Sequence, residues 1–379
     1  MKKEYRIIVS GGGTGGHIFP ALSIADTIRS KHPDAKILFV GADNRMEMQR
    51  VPDAGYEIVG LPIAGFNRKN ILKNIKVLWL ILKSQRMAKK IIKKFAPHAV
   101  VGVGGYASGP TLKMAASMDI PTLIQEQNSY AGVTNKILAK KAKMICVAYD
   151  GMERFFPQDK IKLTGNPVRK SLIDMKTNRS EAIKKIGLDE NKKCVLIVGG
   201  SLGARSINEA VLANIETIRE NKNINFIWQT GKLYFEEMKE RSAAIGKPEN
   251  LIITDFVSDM AAALGASDLV ISRAGASSIS EFALLGKAVI LVPSPNVSED
   301  HQTKNAMALV EKEAAIHVPD SKAKEDMIRI AVETVLNPDK IETLEKNVIK
   351  LGKPNAAEEI ADEVIKLADA YLKNNTKEN

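Results

Sequence analysis

The sequence predicts an α/β protein of two Rossmann-like domains, each an open parallel sheet covered on both faces by helices. Three observations carry that expectation. Apolar, β-branched runs alternate with stretches of helical period along most of the chain, the pattern of repeated βα units. A glycine-rich turn follows the first strand-like run of each half. At 379 residues the chain is too long for one ordinary core and suits two domains of roughly 150–200 residues.

In the first half, strands are expected at Arg6–Ser10, Lys36–Val40, Ala99–Val103, Pro121–Ile124, Met144–Ala148 and Ile161–Leu163. In the second half they are expected at Cys194–Val198, Asn225–Gln229, Leu251–Ile253, Asp268–Ile271, Ala288–Val292 and Ala315–Val318. The pattern breaks at Gly165-Asn166-Pro167, which puts the domains at 1–166 and 167–355. A last helix over 356–372 follows Gly352-Lys353-Pro354 and is expected to return to the first domain. The two cysteines, Cys146 and Cys194, lie in strand-like apolar runs, which suits buried thiols in a reducing cytoplasm rather than a disulfide.

The start of the chain leads from Met1-Lys2-Lys3 straight into a strand, so no signal peptide is expected there. In the basic region the longest uninterrupted apolar run is Val77–Leu82, far short of the roughly 20 residues of a membrane span. Between Glu57 and Asp119 there is no acid but eleven Lys and Arg residues, equal to the whole net charge of +11. Such a segment attracts phosphates, of nucleic acid or of an anionic leaflet. Within it, 70–95 reads as a helix with two stripes. Val77, Ile81, Ala88, Ile92 and Phe95 are expected to face the core. Ile71, Ile75, Trp79 and Leu82 form a second stripe, continued by Arg86 and Lys90 and flanked by Lys76 and Lys83. Apolar and aromatic residues beside lysines suit a membrane surface. Nucleic acid is not expected, because aromatic residues for base stacking are scarce.

Gly11–Gly16 fits G-x-G-x-x-G directly after a strand, where backbone amides approach an anion at a helix N-terminus. His17 follows at the point where strand ends of α/β proteins bind ligands. Gly104–Pro110 and Gln125–Asn128 follow two further strands and are expected on the same rim. In the second half Ser272–Glu281 offers small residues leading into a helix, and Glu281 suits the two hydroxyls of a ribose. Asp300-His301-Gln302 supplies groups suited to sugar hydroxyls. No D-x-D, H-E-x-x-H or paired C-x-x-C occurs, so neither a metal nor another cofactor is expected. The alternative is an NAD-dependent oxidoreductase, with Asp43 as the ribose-binding acid. It leaves the second glycine turn, Glu281 and the basic helix unexplained.

Six motifs then carry a resemblance. Gly12–His17, Gly104-Gly105-Tyr106-x-Ser108-Gly109-Pro110, Glu126-Gln127-Asn128, Gly165–Arg169, Gly199-Gly200-Ser201-x-Gly203-Ala204-Arg205 and Asp300-x-Gln302-x-x-Asn305-Ala306 occur in that order. The series resembles the MurG family of cell-wall N-acetylglucosaminyltransferases. The resemblance implies a GT-B fold, with the active site in the cleft between domains. It also implies an inverting transfer of N-acetylglucosamine from UDP-N-acetylglucosamine to the C4 hydroxyl of a lipid-linked muramyl-pentapeptide acceptor. It places the enzyme peripherally on the cytoplasmic face of the cell membrane, with the Ile75, Trp79 and Leu82 patch as docking surface. Carried over by position, Thr14, Gly15, Gly16 and Asn128 hold the sugar end of the donor. Arg169, Ser201, the backbone at Val257, and Gln302 complete the donor site, with Glu281 on the ribose. The first glycine loop and His17 also meet the acceptor diphosphate. Gln125 stands where the family often has His, so no imidazole there is available as base; His17 is favoured, with Glu126 in reserve. His301 stands where some members have Gln, leaving Gln302 as the carried-over amide.

Overall fold

The computed structural model describes residues 4–65, 74–168, 178–200 and 202–375. The chain forms two compact units, residues 1–169 with 353–379, and residues 170–352.

Unit 1 runs β1 (Arg6–Ser10), α1 (Gly15–Lys31), β2 (Lys36–Ala42), α2 (Glu47–Asp53), β3 (Glu57–Leu61), α3 (Asn74–Phe95), β4 (Ala99–Gly102), α4 (Ser108–Ala116), β5 (Thr122–Glu126), α5 (Val133–Ala139), β6 (Met144–Val147) and β7 (Ile161–Leu163). The strands pair in parallel in the order β3-β2-β1-β4-β5-β6-β7. Along β1, successive side chains enter opposite cores, as the two-residue repeat of a strand requires. Ile7 and Val9 pack with Ile24 and Ile28 of α1, whereas Ile8 packs with Ala88 and Ile92 of α3 and Leu112 of α4. Burial on both faces is why these strands read as continuous apolar runs. The strand β3 was not expected. Its sequence carries Gly60 and is half-exposed along most of its length at the sheet edge, so it lacks the apolar signature of the central strands.

Unit 2 begins with α6 (Arg179–Ile186), capped by the Asn178 side chain, which accepts from the Ser180 N–H. It continues with β8 (Lys193–Val198), α7 (Arg205–Ala213), α8 (Ile215–Glu220), β9 (Ile224–Gln229), α9 (Phe235–Ala244), β10 (Leu251–Thr254), α10 (Met260–Ala266), β11 (Leu269–Ser272), α11 (Ala276–Leu285), β12 (Val289–Leu291), α12 (His301–Val310), β13 (Ile316–His317), α13 (Ala323–Val335) and α14 (Pro338–Ile349). The order is β10-β9-β8-β11-β12-β13, again all parallel. Phe226 and Trp228 fill the centre of its core.

The final helix, α15 (Ala356–Asn375), packs on α1 and β4 of unit 1. Ile360, Ala361, Val364 and Ala368 are buried in the same core as Ile7 and Ile24. Tyr5 donates to Asp369 at 3.0 Å, and Lys162 pairs with Glu363 at 2.9 Å. Cys146 and Cys194 are buried free thiols, each pushed up to about 12 chiefly by burial.

Candidate active site

Because the strands of unit 1 run parallel, their C-terminal ends share one edge, and the strand order reverses between β1 and β4. Open α/β sheets bind ligands at such a point. Two glycine turns interlock there. A Cβ on Gly11 would stand 2.2 Å from Val103 Cγ2, and one on Gly105 would stand 2.3 Å from the Gly12 carbonyl oxygen. Gly104 and Gly105 also sit at positive φ, which favours glycine.

His17 is half-buried in the first turn of α1. Its Nδ1 lies 3.1 Å from the exposed Thr14 hydroxyl. Its ring lies against Gly104, where a Cβ would come within 2.9 Å of Nε2. Gly15 and Gly16 are the first residues of α1, which has no side-chain cap and no acid in its first turn. That end of the helix favours an anion.

Glu126, at the end of β5, is 1 % exposed. One carboxylate oxygen accepts from the Asn128 N–H at 3.1 Å and the Asn128 side-chain amide at 3.2 Å. The other accepts from the Gly132 N–H at 3.0 Å and Asn135 Nδ2 at 2.8 Å. Both oxygens are engaged in shaping the 126–135 loop. Beneath it, Gln125 donates to Asn166 at 2.9 Å, and Asn166 donates back to the Gln127 carbonyl at 3.0 Å. The Gly165-Asn166-Pro167 motif thus locks β5 to the chain after β7.

Sequence reasoning missed Glu47. This residue opens α2 and is also 1 % exposed. Its carboxylate accepts from the Gly13 N–H at 2.8 Å and the Ala42 N–H at 3.0 Å. An acid that bonds an amide 34 positions away leaves no local signal. Asp43, the acid of the dinucleotide alternative, is turned onto β3 instead: a Cβ on Gly60 would stand 1.8 Å from its Oδ1.

In unit 2 the strand order reverses between β8 and β11. Gly199-Gly200 leaves β8, with Gly200 at φ +87° and its carbonyl accepting from Gln229 at 3.0 Å. Beside it, β11 passes through Ser272–Gly275 into α11, whose N-terminus has neither a side-chain cap nor an acid in its first turn. Arg273 is spent on structure. It donates to the Val292 and Pro293 carbonyls and to Ser206, and pairs with Asp320. Glu281 is half-buried on α11. Gln302 lies in the first turn of α12, and its side-chain oxygen accepts from the Ser294 N–H at 2.8 Å, so this amide shapes the loop after β12. Val257 lies in the loop after β10, beside the exposed Phe256. The strand ends therefore gather the Gly199 turn, Val257 and the start of α11 on one edge of this sheet. Arg169 and Ser201 lie outside the described residues.

On α3, Val77, Ala88 and Ile92 are buried, Ile81 and Phe95 half-buried, and Trp79 is 58 % exposed with Leu82 at 54 %. Leu78, not expected on this stripe, is exposed to the same degree. The Lys83 ammonium sits 5.3 Å from the Trp79 ring centroid, and Arg86 is exposed. Ile71 and the side chains of Ile75 and Lys76 lie outside the described residues. Among the described residues no helix is long and apolar enough to cross a membrane.

The glycosyltransferase family 28 N-terminal domain matches residues 7–147, and the C-terminal domain of the same family matches residues 194–361. The UDP-N-acetylglucosamine--N-acetylmuramyl-(pentapeptide) pyrophosphoryl-undecaprenol N-acetylglucosamine transferase of Phocaeicola vulgatus is 64% identical over 99% of this chain and 100% of its own. The enzyme of that name from Bacteroides thetaiotaomicron is 63% identical over 98% and 100%. The crystal structure of Acinetobacter baumannii MurG aligns with a TM-score of 0.76 at 29% identity, covering 96% of this chain and 99% of that one. A Neisseria meningitidis UDP-GlcNAc 2-epimerase, at TM-score 0.67 and 14% identity over 96% and 100%, shares the fold. Nothing here supports the oxidoreductase alternative. With both domains of one family and full-length relatives at this identity, the chain belongs to glycosyltransferase family 28.

Proposed function

We propose that this enzyme transfers N-acetylglucosamine from UDP-N-acetylglucosamine to the C4 hydroxyl of undecaprenyl-diphosphate-linked muramyl-pentapeptide, a step of peptidoglycan synthesis. The observation that carries the reading is the end-to-end match to an enzyme of that name at 64% identity.

Unit 1 supplies the base and the acceptor contacts. Of the two ring tautomers of His17, the productive one donates Nδ1–H to Thr14 and leaves the Nε2 lone pair to take the acceptor proton. The acceptor oxygen then bonds the anomeric carbon of the donor as the bond from that carbon to the diphosphate breaks. UDP departs, and the configuration inverts. Glu126 acts as a positioning residue rather than the base, since all four of its hydrogen bonds are used to hold Asn128 and the loop to 135. Unit 2 supplies the nucleotide contacts, Glu281 on the ribose, with Val257 and Gln302 beside it. The N-terminus of α11, with Ser201 and Arg169, stabilises the departing diphosphate. One well-placed donor of this kind is worth about 3–4 kcal/mol. The exposed Trp79 and Leu82, with Lys83 and Arg86, rest on anionic lipid at the cytoplasmic face of the membrane.

Incubation with labelled UDP-N-acetylglucosamine and the lipid-linked acceptor tests the reading. Label is expected in the lipid product, with one UDP released per transfer. Release of free sugar alone, or no turnover, would overturn it.

A further inference from the structure

The carboxylate of Glu47 bridges two strand ends. It opens α2, reaches back over β2 to the Ala42 N–H, and crosses to the Gly13 N–H beyond β1. Two glycines make room for it. A Cβ on Gly12 would stand 2.2 Å from its Oε1, and one on Gly41 would stand 2.7 Å from its Cγ.

The Gly13 N–H shares a rigid peptide plane with the Gly12 carbonyl, and the two point in opposite directions. Glu47 holds the first. The second faces Gly105, close enough that Gly105 has no room for a side chain. The neighbouring Gly104 lies under the imidazole of His17. A continuous series of contacts therefore runs from Glu47 through the Gly12–Gly13 peptide and the Gly104–Gly105 turn to His17. The Gly13 amide of the glycine loop is also already bonded to a carboxylate. The uncapped start of α1 at Gly15 and Gly16 stays open to an incoming diphosphate.

We infer that Glu47 is a positioning residue for the acceptor: it fixes the Gly12–Gly13 peptide, and through it the seat of His17, and it directs the acceptor diphosphate to the first residues of α1. The inference rests on the transferase reading above.

Glu47→Gln keeps the shape and removes one of the two acceptors, since its NH2 must face an N–H. A hydrogen bond to a charged acceptor is worth roughly tenfold to a hundredfold in equilibrium terms. The expected result is a loss of that order in kcat/KM for the lipid acceptor. The KM for UDP-N-acetylglucosamine stays within about twofold, and so does UDP affinity by calorimetry. Gly41→Ala keeps the carboxylate and crowds it from behind, so it should shift acceptor kcat/KM in the same direction with the donor KM again unmoved. It decides the matter if Glu47→Gln lowers Tm enough to obscure the kinetics. Folded variants with wild-type acceptor kcat/KM, or with the KM for UDP-N-acetylglucosamine and the affinity for UDP weakened as much as acceptor kcat/KM, would overturn the inference. A wild-type enzyme that fails to transfer would overturn the transferase reading instead.

Discussion

The Thr14 hydroxyl stands 3.1 Å from Nδ1 of His17, so the residue that closes the glycine turn also orients the ring that follows it. Thr14→Val keeps the shape and deletes the hydrogen bond. A neutral bond of this type is worth about 1 kcal/mol, so turnover should fall about fivefold. His17→Ala should cost about 10²–10⁴-fold, the range of a lost general base. Wild-type turnover in both variants, measured with the lipid acceptor, would remove His17 from the mechanism.

Glu126→Ala removes the carboxylate that the amides of Asn128, Gly132 and Asn135 donate to. Taking a carboxylate acceptor away from several part-buried donors costs about 3 kcal/mol. For a unit of this size that is roughly 6–12 °C in the melting temperature. Thermal unfolding checks it. A variant that melts with the wild type yet is inactive would point back to Glu126 as the base.

Glu281→Ala should weaken UDP binding about tenfold to a hundredfold, the worth of hydrogen bonds to a carboxylate. Calorimetry with UDP and with 2′-deoxy-UDP separates a ribose contact from a general loss. The wild type should prefer UDP, and the variant should bind both alike. A preference surviving in the variant would move the ribose elsewhere. NAD should give no heat with either protein.

Replacing both Trp79 and Leu82 by Ala strips exposed apolar surface from α3. Cosedimentation with anionic vesicles should drop at least about tenfold. The binding that remains should be the more salt-sensitive, because each basic residue near the surface contributes about 1 kcal/mol through a screened charge. Unchanged sedimentation would leave α3 without a membrane role.

The central strands were legible because burial on both faces writes an uninterrupted apolar run; β1, inside its sheet, matches its expected limits residue for residue. The edge strand β3, half-wet and broken by Gly60, carries no such signature. Turns were legible as glycine clusters, but not the reason for each glycine. Gly12 and Gly41 make room for a side chain that the sequence gives no cause to suspect. The same limit applies to Arg273 and Gln302, whose positions at the strand ends were visible while their partners were not.

The helix over Ala356–Asn375 completes a core begun at Ile7, and everything in unit 2 is translated in between. During synthesis, the greasy flank of α1 and β1 that this helix covers must wait on the ribosome while an entire second unit emerges. Unit 2, whose strands are contiguous in the chain, is free to fold first. Unit 1 is therefore the half of the enzyme that matures last.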